Sequence, residues 1–184
     1  MIILHVDSSI TAENSVTRAI GEAAIARLSA LYPDAEIRRR DLVQDPLGHM
    51  TLGDLGDTSL ADEFLAADIV VIGAPMYNFS IPSSLKAWMD RLAIAGTTFR
   101  YGETGVEGLA GGRKLIIASA RGGFYGSDTG QAWLDHQETY LRGFFGFLGV
   151  TDIDFVRAEG VAISPDARAT ALENARIEAT AIAA

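Results

Sequence analysis

No cysteine occurs among the 184 residues, which removes disulfides, a thiol nucleophile and cysteine-ligated metal from consideration. Histidine is scarce and scattered at His5, His49 and His136, so a histidine-rich metal site is not expected. Positive charge is also in deficit. Lys and Arg number 15 against 24 Asp and Glu, a net charge of −9 that disfavours nucleic acid or an anionic membrane as partner. An anionic ligand would have to be met by local groups. No apolar run approaches membrane-spanning length, and the opening strand Ile2–Val6 is too short for the apolar stretch of a secretion signal. The expectation is a soluble cytoplasmic protein whose hard chemistry is borrowed from a cofactor.

With 48% hydrophobic and 21% charged residues, the chain is expected to form one domain over residues 1–184. Three continuous apolar runs, Ile2–Val6, Ile69–Ile72 and Lys114–Ser119, lack alternation and predict parallel strands covered on both faces. Two further strands are predicted at Ala35–Leu42 and Thr151–Glu159. Helices are predicted from Asn14 or Ser15 through Leu31, over Leu60–Ala67, from Ser83 to about Ala95, over Gln131–Gly149, and from Pro165 to the end. Right-handed crossovers then give a doubly wound α/β sheet of order 2-1-3-4-5, the flavodoxin-like arrangement, with helices on both faces.

That order brings three loops to one rim. The first, Asp7 to Ser15, is rich in hydroxyls and leads into a helix N-terminus; it either caps that helix or holds an anion on Ser9, Ser15, Thr17 and the free N–H groups. The second, Gly73 to Pro82, is stiffened by Pro75 and Pro82, which keeps its backbone N–H groups in place to read a flat ring. The third, Ala120 to Gly126, has adjacent glycines that make either an ordinary tight turn or a close approach to a ligand plane. Arg38, Arg39 and Arg40 either bind a ligand or solvate an edge strand. The glycine-rich stretch Gly102–Gly112 is expected to be irregular, and it matches neither a phosphate-binding P-loop nor a dinucleotide fingerprint. The helix over Gln131–Gly149 carries two apolar stripes, Tyr140/Phe144/Phe147 and Leu141/Phe145/Leu148. Either a second copy of the chain or a neighbouring helix covers the second stripe, and a homodimer is expected.

Several segments also resemble one family: Ala74-Pro75-Met76-Tyr77-Asn78-Phe79, Ser84-Leu85-Lys86, Gly96 to Tyr101, Glu107-Gly108-Leu109, Arg121-Gly122-Gly123, and Phe155 with Ala158-Glu159-Gly160. The chain is similar in these to the FMN-dependent NADH-azoreductases and quinone reductases. The resemblance implies FMN contacts at Ser9, at Ser15, Val16 and Thr17, at Met76, Tyr77, Asn78 and Phe79, and at Ala120, Arg121, Gly122 and Gly123. It further implies a homodimer with Asn78, Tyr101 and the partner's Phe147 lining the substrate face of the flavin. NADH or NADPH would be the electron donor, and quinones or azo compounds the acceptors, in a ping-pong reaction that needs no protein acid or base. Ala120 departs from the pattern, standing where a serine or threonine is usual, and the Gln44–Ser59 segment is short. A flavodoxin-type electron carrier would share the same FMN loops. A phosphoacceptor receiver domain shares the strand order but needs an aspartate where Gly73-Ala74-Pro75 stands.

Overall fold

A computed structural model describes residues 1–103 and 105–182. Five parallel strands form the sheet: β1 (Ile2–Asp7), β2 (Glu36–Asp41), β3 (Ile69–Pro75), β6 (Lys114–Ala120) and β7 (Asp152–Ala158), in the order β2-β1-β3-β6-β7. Counting these five alone, the order is the expected 2-1-3-4-5. Side chains on the central strands alternate between two cores even though most positions are apolar, because both faces are covered. Leu4, Val6, Val70, Ile72, Leu115 and Ile117 point to one side, where α2 (Ser59–Ala66), α3 (Ser83–Asp90) and α4 (Glu138–Phe147) supply Phe64, Trp88 and Phe145. Ile3, Val71, Ile116 and Ala118 point to the other, against Ile20, Ala24 and Leu28 of α1 (Val16–Leu31) and Ala175 and Ala179 of α5 (Pro165–Thr180).

β2 lies at the sheet edge, and its three arginines each meet a carboxylate: Arg38 with Glu36, Arg39 with Glu22, Arg40 with Glu63. The trio therefore solvates an edge strand.

Three segments differ from the sequence expectation, each for a tertiary reason. α3 stops at Asp90 rather than near Ala95, because the Thr98 hydroxyl donates to the Leu92 carbonyl and accepts from Ile94 N–H (2.9 Å), folding residues 92–98 into a turn. α4 begins at Glu138, not Gln131. Asp135 Oδ1 accepts from the N–H groups of Gln137 (3.1 Å) and Glu138 (3.0 Å), while the buried Gln137 amide reaches back to donate to the Ala74 carbonyl at 2.6 Å. A helix continued backward through Gln137 would withdraw that amide from the core; a short 3-10 turn, Ala132–Leu134, precedes it instead. Finally, the glycine-rich excursion contains a regular antiparallel hairpin, β4 (Phe99–Gly102) with β5 (Gly105–Gly108). Gly108 packs backbone to backbone on Gly149 at the end of α4, where no Cβ would fit. Ala110 N–H closes the contact on the Leu148 carbonyl at 2.8 Å.

Candidate functional site

The carboxyl ends of β1, β3 and β6 surround a cavity of about 470 Å³ at the point where strand order reverses. Its polar end is made by the first loop. Ser15 is the N-cap of α1, its Oγ accepting from Arg18 N–H at 3.2 Å. Ser9, Ser15 and Thr17 are all buried. Their hydroxyls are paired for now with small neighbours, Ser15 Oγ with Thr17 Oγ1 at 3.1 Å and Ser9 Oγ with Thr11 Oγ1 at 3.0 Å. Among the described residues nothing accepts the N–H of Val16 or Thr17, the first donors of the helix. These groups face the cavity and form a socket for an anion.

Pro75, Met76, Tyr77, Ala120, Gly122 and Val161 form the flatter, less polar end. Met76 N–H extends the sheet ladder onto the Ala120 carbonyl at 2.8 Å, so the second and third loops are tied together at their roots. Tyr77 then folds on Ser80 through paired backbone bonds of 2.9 and 3.2 Å. The two residues between them, Asn78 and Phe79, have φ of 49° and 71°, the backbone of a type I′ turn. Asparagine tolerates this region, but a bulky phenylalanine there is strained, a cost on the order of 1–2 kcal/mol. The strain is held by contacts at both ends. Phe79 packs edge-on to Tyr125 at 6.0 Å and its carbonyl accepts from His136 N–H, while the Tyr77 hydroxyl accepts from Ile10 N–H at 3.2 Å. The turn points Asn78 and Phe79 outward, and neither lines the cavity.

Arg121 is placed differently from its neighbours. Its side chain, 2% exposed, leaves the cavity and enters a buried cluster: Asp135 at 2.9 Å, Glu138 at 2.6 Å, Glu159 at 3.3 Å, and the Gln137 amide oxygen at 3.1 Å. Its own N–H is committed to the Ala158 carbonyl at 2.9 Å. Among the described residues, the N–H groups of Gly122 and Gly123 have no such partner. Gly122 faces the cavity, and Gly123 stands one residue beyond its lining. Arg121 thus anchors the loop whose glycine donors are left for a ligand.

Behind the first loop lies a second charged cluster. Arg18 turns away from the cavity to Asp7 (3.2 Å) and Asp41 (2.8 Å). Burial lifts the Asp7 carboxyl above its ordinary value and pushes the His5 imidazole below its own.

One cation does reach the cavity, and the sequence alone did not single it out. Arg168, in the first turn of α5, lines the wall beside Asn14 and donates to the Asn14 carbonyl. It stands more than 150 residues from the loop it serves, and only the packing of α5 beside α1 brings it there. Thr11, within the first loop, and Val161, just past the end of the last strand, also join the lining.

Tyr101, on the hairpin, and Phe147, on α4, do not line the cavity in the single chain. Both are exposed, at 76% and 41%, and they flank Phe99, with ring centroids 5.5 and 4.8 Å from it. They make one aromatic surface. Leu141 and Phe145 of α4 and Leu148 just past its end are buried, whereas Tyr140 and Phe144 are half-buried. Among the described residues there is no cluster able to hold a metal ion and no helix long and apolar enough to cross a membrane.

Residues 1–182 match the family described as having a flavodoxin-like fold, Flavodoxin_2. The chain is 51% identical over 194 aligned residues to the FMN-dependent NADH:quinone oxidoreductase of Methylocella silvestris, covering 95% of each chain. It is 50% identical to that of Azospirillum brasilense, covering all of this chain and 98% of the other. Among solved structures it superposes on the azoreductase AzrA with a TM-score of 0.86 at 29% identity, covering 99% and 100% of the two chains. For an FMN-dependent NADH-azoreductase of Bacillus anthracis solved with FMN, the values are 0.87 and 27%, over 97% and 95%. A five-strand rim with its cavity at the switch point, joined to relatives at half identity along nearly the whole length, has one interpretation: the chain belongs to the flavodoxin-like family of FMN-dependent NADH:quinone oxidoreductases and azoreductases.

Proposed function

We propose that this chain is an FMN-dependent NAD(P)H oxidoreductase that reduces quinones by two electrons and cleaves aromatic azo compounds in a ping-pong reaction, acting in the cytoplasm as a homodimer of one-domain subunits. The observation that carries the reading is the cavity itself, with a socket of hydroxyls and free helix N–H groups at one end and a slot between the Met76 and Gly122 loops at the other. A phosphate ester suits the first and a flat heterocycle the second.

When bound, FMN supplies the redox chemistry, taking two electrons from the nicotinamide and giving them to the acceptor. The residues bind and orient it. Ser9, Ser15, Val16 and Thr17 would hold the phosphate, and Met76, Tyr77 and Ala120 would border the ring. The N–H groups of Gly122 and Gly123 would face the ring edge as fixed donors, held by a loop that Arg121 anchors, and would stabilise negative charge there. The Arg121 N–H cannot share this role, being already bonded to Ala158. Asn78 and Phe79 would contribute through their backbone turn. Tyr101 and the partner's Phe147 would cover the substrate face, which accounts for two aromatic rings left exposed on the single chain.

The test is an absorption spectrum of protein reconstituted with FMN, desalted, then given NADH and next a benzoquinone without oxygen. Flavin that is retained, bleached and restored supports the reading. Flavin retained but untouched by NADH would indicate an electron carrier, and no retained flavin would refute the site. Sedimentation velocity tests the dimer, with a monomer at micromolar concentration as the refuting result.

A further inference from the structure

We propose that Arg168 is a ligand of the FMN phosphate and the residue by which this protein selects FMN over riboflavin. The inference rests on the FMN reading above and adds to it a charged group that the first loop lacks. A phosphate monoester carries between one and two negative charges near neutral pH. The loop offers hydroxyls and two free N–H groups, with a helix terminus worth roughly half a positive charge. No full cation stands on it, and the chain as a whole carries −9.

Of three arginines around this rim, two are spent. Arg18 is shared between Asp7 and Asp41, and Arg121 among Asp135, Glu138 and Glu159. Arg168 differs from both. Among the described residues its side chain has no carboxylate within ion-pair distance, and the guanidinium's one hydrogen bond goes to the backbone carbonyl of Asn14. That bond orients the guanidinium on the cavity wall without cancelling its charge, leaving most of its five donors available. A planar fork with a fixed orientation is well matched to phosphate oxygens. The Asn14 carbonyl sits one residue before the Ser15 cap, so the cation is delivered to the same end of the cavity as the Val16 and Thr17 N–H groups.

The experiment is equilibrium titration of the apoprotein with FMN and, separately, with riboflavin, followed by flavin fluorescence at two salt concentrations. Wild type is compared with Arg168→Gln and Arg168→Lys. We expect Arg168→Gln to weaken FMN binding by about 10- to 100-fold and to leave riboflavin within about twofold. Arg168→Lys should recover part of the loss, and the salt dependence of FMN binding should be shallower in Arg168→Gln than in wild type. Equal losses for the two flavins would make Arg168 structural and overturn the proposal. Unchanged FMN affinity in Arg168→Gln would overturn it directly. Wild-type protein that binds both flavins equally would overturn the selection while leaving a flavin site in place, whereas wild-type protein that binds neither would overturn this inference together with the FMN reading.

Discussion

Replacing Gly108 by alanine should loosen the aromatic surface without touching the cavity. A methyl built on Gly108 falls 2.1 Å from Gly149 N and 2.2 Å from the Leu148 carbonyl carbon. Ordinary contact begins at 3.4 Å, so the two backbones must part by about 1.3 Å. Neither side can yield by rotating a side chain, since backbone faces backbone. Gly149 is itself fixed by a φ of 92° that few other residues adopt. Overpacking costs about 1–3 kcal/mol, and loss of the Ala110 to Leu148 hydrogen bond adds about 1. For a chain of this size that is a fall in Tm of roughly 5–15 °C. Function should divide along the same line. The hairpin carries Tyr101 and Phe99, and Phe147 leans on Phe99, so kcat/KM for quinone should drop on the order of tenfold or more. FMN affinity should stay within about twofold, because neither Gly108 nor its contacts line the cavity. Gly48→Ala, which meets nothing within 4 Å, is the control and should move stability by less than about 0.5 kcal/mol. A Tm for Gly108→Ala within a degree of wild type would refute the close contact. Equal loss of FMN and quinone would refute the separation of the two surfaces.

Three further outcomes are expected. His5 is held below the ordinary imidazole value by burial, so near pH 6.5 the unfolded chain takes up a proton that the folded chain refuses. His5's share of stability, present above that pH, should therefore fall on acidification by up to about 1.4 kcal/mol per pH unit, with the raised Asp7 carboxyl working in the opposite direction; in urea unfolding at pH 7 and 5, His5→Gln should lose less stability on acidification than wild type, and parallel slopes would refute it. Ser15→Ala removes both the cap of α1 and a hydroxyl of the anion socket, which should cost about 1 kcal/mol of stability and about tenfold in FMN affinity, and an unchanged Tm would show that the cap is not stabilising. Arg121→Met leaves Asp135 and Glu159 without their cation, beside Glu138, which keeps Arg157, and should destabilise by about 3–5 kcal/mol in denaturant titration, whereas a loss below about 1 would mean that the cluster relaxes into water.

The sheet was legible because its three central strands are unbroken apolar runs, and a run apolar on both faces has few places to go except the middle of a parallel sheet. The rim and its three loops followed from strand order, and Ser9, Ser15 and Thr17 from the hydroxyls of the first loop; Val16, Met76, Tyr77, Ala120 and Gly122, which also line the cavity, came from the family resemblance. What the sequence hid was set by partners distant along the chain. Gln137 looks like one more helical residue until its amide is seen on the Ala74 carbonyl, 63 residues away. Glycine density between residues 102 and 112 gives no sign of the hairpin, whose pairing is fixed by contact with α4. Nothing in Met76-Tyr77-Asn78-Phe79 announces that its last two residues take left-handed backbone and turn outward. Arg121 sits in the right loop, but local pattern does not reveal that three carboxylates and a glutamine draw its side chain inward.

Those inward arginines bear on how an acidic protein receives an anion at all. A guanidinium near the rim attracts phosphate only to the extent that its charge is unspent, and two of the three here face carboxylates at 2.6–3.3 Å. Their role is mechanical. Arg18 ties α1 to β1 and to the residue ending β2, and Arg121 ties the glycine loop to α4, so each fixes backbone donors in the position a ligand would use. Fixed N–H groups cost little ordering on binding and carry no charge that a change in pH could remove. Attraction at longer range is then left to the α1 terminus and Arg168. Raising ionic strength should accordingly change FMN association only modestly, since screening weakens the pull of Arg168 and the repulsion of the net −9 chain together. Stopped-flow association rates at low and high salt would show the difference. A steep decline, of the order seen with extended basic surfaces, would mean that Arg18 or Arg121 swings out to meet the ligand and that the buried pairs are not fixed.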